Sequence, residues 1–258
     1  ENRCFYMTIT KELLERAYRE YFNKEEFLSV DPCELVYELK RHTTKQLDIE
    51  LGALFVAMIT WGNRKAIKKA ALHMLETEMK WNPSEFILKK KYKDCYLDAK
   101  NGCVYRTLNR EKFILVCENL HKALCEYNLE NKNITLESIL KNNSVEQAIA
   151  VICQWLSPAR LGTPGQSACK RICMYLRWMI RKEEPDLGLW HSFSQSDLYA
   201  VMDVHVCKLT ATLLSRKQAD WKSCVELTNI FRNWSADDPL KYDIALMTVA
   251  DHREFILD

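Results

Sequence analysis

The sequence predicts an all-α fold. It holds only 6 glycines and 6 prolines in 258 residues, too few for a sheet protein built on many tight turns. Its long stretches are rich in Leu, Lys, Glu and Ala, which are strong helix formers. Apolar residues also recur at the spacing of amphipathic helices. The length allows one substantial core or two small lobes. With 48% apolar and 28% charged residues, the composition is that of a globular domain.

In chain order, Thr10 can cap a helix over Lys11–Phe22. Asp31-Pro32 starts a short helix toward Arg41, with proline at a first-turn position. Leu47–Ile59 is nearly continuous in apolar character and predicts a buried helix. Arg64–Trp81 follows, closed by Asn82-Pro83. Tyr92–Leu108 holds Asp98, Asn101 and Gly102, so it is irregular or a small hairpin. Arg110–Asn128 and Ser144–Leu156 are helical. Ser157–Gln166 carries two prolines and two glycines, the densest turn signal in the chain. A helix runs from about Ser167 to Lys182, then a long connection over Glu183–Ser196. Asp203–Ser215, Asp220–Trp234 and Asp238–Ala250 complete the helices, the last with Asp238-Pro239 as a cap and first-turn proline. Glu1–Tyr6 precede Met7 and are set outside this reading.

Net charge is only +2, so bulk charge does not announce nucleic acid. Local charge does. From Gln147 to Lys182 there is no Asp or Glu, yet Arg160, Lys170, Arg171, Arg177, Arg181 and Lys182 all lie there. That run is either a solvated basic helix or a phosphate-facing surface. The 11 cysteines form no paired framework, which predicts a reducing, cytoplasmic setting. The apolar run at Leu54–Trp61 is too short for a membrane span. Cys117, His121 and Cys125 share a helix face. The outer two would be about 12 Å apart along the axis, so one zinc ion cannot take all three. No metal and no cofactor is expected.

Within the basic run, Gly162 and Gly165 lie in the turn and let a backbone come close to a phosphate. The helix start after it, with Gln166, Ser167 and Arg171 nearby, offers N–H groups. On that helix Lys170, Arg177 and Arg181 fall at offsets of 7 and 11 and share a face. Lys170 is a solvated lysine or a nucleophile. Asp203, in Met202-Asp203-Val204-His205-Val206, falls at a helix start. It is a structural cap or a carboxylate held ionised for chemistry.

Together these residues resemble the helix-hairpin-helix DNA glycosylase superfamily, which includes endonuclease III and the 8-oxoguanine glycosylases. Lys170 resembles the lysine of the bifunctional members, and Met202–Val206 resembles their Val-Asp-Thr-His-like motif. The separation of 33 residues between Lys170 and Asp203 is closer to the archaeal 8-oxoguanine branch. The strings Ser167–Arg171, Leu176–Met179, Trp61–Arg64 and Lys241–Asp243 also resemble a bacterial family of unassigned function. That second likeness covers nearly the whole chain. By the same resemblance Trp61, Asn63 and Arg64 stand where endonuclease III places residues that fill the gap of an extruded base. Trp61 is equally readable as core. The turn reads Leu-Gly-Thr-Pro-Gly-Gln-Ser rather than Leu-Pro-Gly-Val-Gly, and the iron–sulfur cysteines of endonuclease III are absent.

The resemblance implies two helical lobes, with a helix-hairpin-helix motif and a DNA-binding cleft between them. One lobe is residues 45–180; the other is 1–44 with 181–258. It implies a monomeric, nucleoid-associated base-excision glycosylase acting on double-stranded DNA with a damaged base. Lys170 and Asp203 would be catalytic, with strand cleavage through a Schiff base and 8-oxoguanine a possible substrate. The alternatives are a monofunctional glycosylase, a non-catalytic DNA-structure-binding protein and a helical scaffold without nucleic acid.

Overall fold

A computed structural model describes residues 8–98, 100–127 and 134–252. The residues before Met7 and the predicted helix end at Asn128 lie outside them. Among the described residues there are thirteen α-helices and one two-stranded sheet, so the chain is mostly helical, as its composition predicts.

Side-chain caps set many of the helix starts. Thr10 accepts from the Leu13 N–H and opens α1, Lys11–Arg16, which runs on into a π-helical turn at Ala17–Tyr21. Asn23 caps α2, Lys24–Val30. Asp31 accepts from the Cys33 N–H at 2.8 Å and starts α3, Cys33–His42. Next comes α4, Gln46–Met58, in which every residue from Leu47 on is buried.

That helix is the centre of the molecule: α3, α6 (Pro83–Leu88) and α10 (Lys170–Ile180) all pack on it. Its two buried acids face the starts of other helices. Asp48 accepts from the Ser84 N–H at 2.7 Å. Glu50 accepts from the Leu136 N–H at 2.5 Å, the first residue of α8, Leu136–Leu140. Unpaired N–H groups at a helix start attract negative charge, which is what lets two carboxylates sit inside an apolar helix. Trp190 Nε1 also donates to Glu50 at 2.8 Å. Burial nevertheless pushes the Glu50 carboxyl up to about 7.

Several boundaries differ from expectation. Asn82-Pro83 does not close the preceding segment; it caps and opens α6. The predicted helix over Arg64–Trp81 is α5, Arg64–Leu72, with a π-helical turn at His73–Glu78. The predicted irregular stretch contains a hairpin of β1, Cys103–Tyr105, and β2, Leu108–Asn109. It leads into α7, Arg110–Glu126, and then α8 and α9, Val145–Trp155. The helix expected from Asp203 stops early, as α11, Val204–Leu209, where the Thr210 hydroxyl donates back to the Val206 carbonyl. Trp221–Trp234 forms α12. The last helix, α13, starts at Lys241 rather than after Asp238.

Asp238 is engaged elsewhere. Its carboxylate takes the guanidinium of Arg181 in a two-pronged contact, 2.9 Å from Nε and 2.8 Å from Nη2. Asp186 bridges Arg177 and Arg181 at 3.1 Å each. The Glu183 and Glu184 carbonyls and the Tyr18 hydroxyl accept the remaining Arg181 donors. This corrects the expectation that Arg177 and Arg181 face phosphate: they are 1% and 0% exposed and neutralised inside the fold. A buried guanidinium persists only with its charge paired; the Arg181 donors are also filled, whereas Nη2 of Arg177 has no hydrogen-bond partner among the described residues. The cluster ties the end of α10 to the N-terminal π-helical turn, while α13 packs on α1. Among the described residues, no helix is long and apolar enough to cross a membrane.

Candidate functional site

The turn between α9 and α10 places Lys170. A short 3-10 turn at Ser157–Ala159 is followed by left-handed backbone at Arg160, Gly162, Gly165 and Cys169. At Gly162, φ is +74° and an added Cβ would lie 2.6 Å from the Ser167 Oγ, so only glycine fits. The Ser167 hydroxyl donates to the Leu161 carbonyl and accepts from the Cys169 N–H, both at 3.2 Å. The N–H groups of Gln166 and Ser167 go to the Thr163 carbonyl. Ser167 is therefore a pin of the turn, which corrects its assignment to phosphate contact. It is also why the helix begins at Lys170 and not at Ser167. Gly165 and the Gln166 side chain remain exposed at the tip.

Lys170 is the first residue of α10, and its Nζ lies 2.6 Å from Asp203 Oδ2. The two residues that the sequence singled out are thus brought into direct contact across 33 residues of chain. Asp203 divides its oxygens. Oδ1 caps α11 by accepting from the His205 and Val206 N–H groups, each at 2.8 Å. Oδ2 is left for the lysine. Burial raises the carboxyl's pKa, but the Lys170 charge, its hydrogen bond and the two N–H donors outweigh that, so it stays below the usual carboxylate range. Cap and charged partner are the same group.

The segment before Asp203 is held from behind. The Ala200 N–H donates to the Thr228 hydroxyl and the Val201 N–H to Asp243, both at 2.9 Å. Asp243 is buried near Arg177, and burial pushes its carboxyl up to about 6 against that opposing charge. A rigid backing of this kind fixes a side-chain rotamer better than a surface loop does. In contrast with its backing, the pair itself is open: the side chains of Lys170 and Asp203 are 38% and 23% exposed.

Arg171 extends the site. It donates to the Met58 carbonyl at the end of α4 at 2.8 Å, and its guanidinium lies 4.7 Å from the Trp61 ring centroid. Burial lowers its pKa to about 10, so it stays charged at neutral pH. Trp61 is half-buried, with Tyr105 edge-on at 4.9 Å on another side. Asn63 accepts from the Ala66 N–H at 3.1 Å and caps α5, while Arg64 is exposed. The sequence reading passed over Tyr105 and Arg106 of the hairpin. The signal for them is the acid-free run between Asp98 and Glu111. Cys169 is buried, its Sγ 3.6 Å from the Ser167 Oγ, and the neighbouring Cys153 thiol pulls its own below the usual value. Among the described residues, no group of three His, Cys, Asp or Glu side chains is arranged to hold a metal ion.

The family described as "Protein of unknown function (DUF2400)" matches residues 31–251, a span that holds Trp61, Lys170 and Asp203. No curated protein and no solved structure matches the chain.

Proposed function

We propose that this chain, which belongs to the DUF2400 family, is a base-excision DNA glycosylase with lyase activity that acts through Lys170 and Asp203. The observation that carries the reading is the 2.6 Å contact between a half-exposed lysine amine and a carboxylate held ionised by a helix start. The resemblance to helix-hairpin-helix glycosylases supplies the substrate class.

In this reading the duplex crosses the Arg160–Gln166 turn, between a lobe of residues 45–180 and a lobe of residues 1–44 with 181–258. The damaged nucleotide swings out toward Lys170. Asp203 takes one proton from the Lys170 ammonium, and the neutral amine attacks C1′ of the sugar. A C–N bond to the enzyme forms as the bond to the base breaks, and the base leaves with that electron pair and takes up a proton. A second amine proton passes to the ring oxygen as the sugar opens to a protonated Schiff base, which permits strand cleavage by elimination. Asp203 orients the amine and faces the positive charge that develops on the sugar. Trp61 fills the space the base vacates. An oxidised purine such as 8-oxoguanine is the foremost substrate.

A second reading rests on the same contact. If Lys170 stays occupied as the counter-ion of Asp203, the carboxylate activates water and the enzyme releases the base without a covalent link.

Duplexes that each carry one lesion, incubated with wild type and Asp203→Asn, test the proposal. Wild type is expected to excise an oxidised purine. Asp203→Asn keeps the shape and the cap but loses the charge, and is expected to be slower by about two to four orders of magnitude. Binding without excision of any lesion would reduce the protein to a DNA-structure binder.

A further inference from the structure

With Arg177 and Arg181 inside the fold, the cations that remain at the surface near the site gather on a different face. Between Glu50 and Glu76, and again between Asp98 and Glu111, the chain has no acidic residue. These two acid-free runs meet in space. The Tyr105 hydroxyl donates to the Trp61 carbonyl at 2.7 Å. The Arg106 guanidinium approaches Gly62 end-on through its Nη1, into the space an added Cβ would need. Gly62, at φ +98°, is what allows that approach.

The hairpin tip therefore brings Arg106 beside the first turn of α5, with Arg64 and Lys65. Lys69 lies one turn on from Lys65, on the same face. All four are exposed and form no ion pair among the described residues. Their neighbour Lys68 differs, being held by Glu34 and the Ser29 carbonyl. Trp61 joins this face to the site: Tyr105 and Arg106 lie on one side of it, and Arg171, next to Lys170, on another.

We infer that the β1–β2 hairpin tip and the α5 surface, through Arg106, Arg64, Lys65 and Lys69, form a second phosphate-binding surface that holds duplex DNA flanking the Lys170 site. The inference takes the identity of its partner from the reading of Lys170 and Asp203 above. A duplex carries about one charge per 1.7 Å of axis, so one that covers the turn before α10 presents further phosphates to an adjoining face. Exposed arginines that form no direct ion pair among the described residues suit that backbone.

The test is fluorescence anisotropy with a labelled duplex across a salt series. It compares wild type, the double variant Arg64→Gln with Arg106→Gln, the charge-keeping double variant Arg64→Lys with Arg106→Lys, and Lys170→Gln. The neutral double variant is expected to bind about tenfold more weakly. The slope of log affinity against log salt is expected to shrink by about 2. Its thermal midpoint is expected to match wild type, since both side chains are exposed. The lysine variant is expected to keep most of the slope, and Lys170→Gln to lie within one contact of wild type. A salt slope unchanged in the neutral variant overturns the inference even if excision proceeds, and assigns the face to another partner. Wild type that binds with the expected slope but excises nothing sinks the glycosylase reading and leaves this surface standing. Wild type that does not bind duplex DNA overturns both.

Discussion

Helix α10 carries cations at both ends, and the two ends have opposite fates. At its start, Lys170 meets one oxygen of Asp203 at 2.6 Å, and 38% of its side chain is open to solvent. At its end, Arg177 and Arg181 are enclosed, with Asp186 and Asp238 neutralising them and backbone carbonyls filling the remaining Arg181 donors. Residue type and helical spacing are alike in the two places. What differs is whether the fold has consumed the charge. A buried guanidinium whose charge is already paired cannot reach a ligand, whereas a lysine with one partner and an open side can exchange it. The buried end is also what aims the open one: Asp243, near Arg177, holds the Val201 N–H two residues before Asp203.

If that contrast is right, the buried end answers to mutation through stability. Arg181→Gln leaves Asp238 without its charge partner and Asp186 with Arg177 alone, and is expected to lower unfolding free energy by about 3–5 kcal/mol. Asp186→Asn, which strips a partner from both arginines, is expected to fall in the same range. Urea denaturation reads both, and a loss under about 1 kcal/mol would break the comparison.

A smaller effect follows from Asp243. Its carboxyl is raised to about 6 in the folded protein, against about 3.9 in an unfolded chain. Between those values the folded state holds a proton that the unfolded state has lost. Asp243 therefore contributes stability at low pH that is lost as pH rises through about 6. Asp243→Asn keeps the acceptor for Val201 and removes the titration. Stability of this variant between about pH 4 and 6 is expected to decline less steeply than in wild type; parallel profiles would place the proton elsewhere.

Much of the helical scaffold was readable because it is written in local chemistry. Thr10, Asp31, Ser144 and Asp220 act where capping physics puts them, and the apolar run of α4 is buried as its composition demands. Lys170 and Asp203 were readable as a pair through resemblance. Their contact was not, since nothing local fixes two residues 33 positions apart. The misreadings share a cause. Asp238 has the sequence of a cap, Ser167 that of a helix start, and Arg177 and Arg181 that of a basic face. Each is claimed instead by a group distant in sequence or by the turn's own backbone: Arg181 for Asp238, Leu161 and Cys169 for Ser167, Asp186 for the arginines. Charge patterns in a sequence show where cations are, not which of them the fold neutralises.

The open end is where stability and chemistry separate. Lys170 is more than a third exposed, so its ion pair is worth about 0–1 kcal/mol, and Lys170→Gln is expected to unfold within about 1 kcal/mol of wild type. The direct measurement is borohydride reduction of the protein on a duplex with an abasic or oxidised-purine site, followed by mapping of the linked peptide. The account predicts a permanent protein–DNA link in wild type, located at Lys170, and none in a Lys170→Gln variant that still binds DNA. A Lys170→Gln variant that traps as well as wild type would contradict it, because another amine would then be the nucleophile.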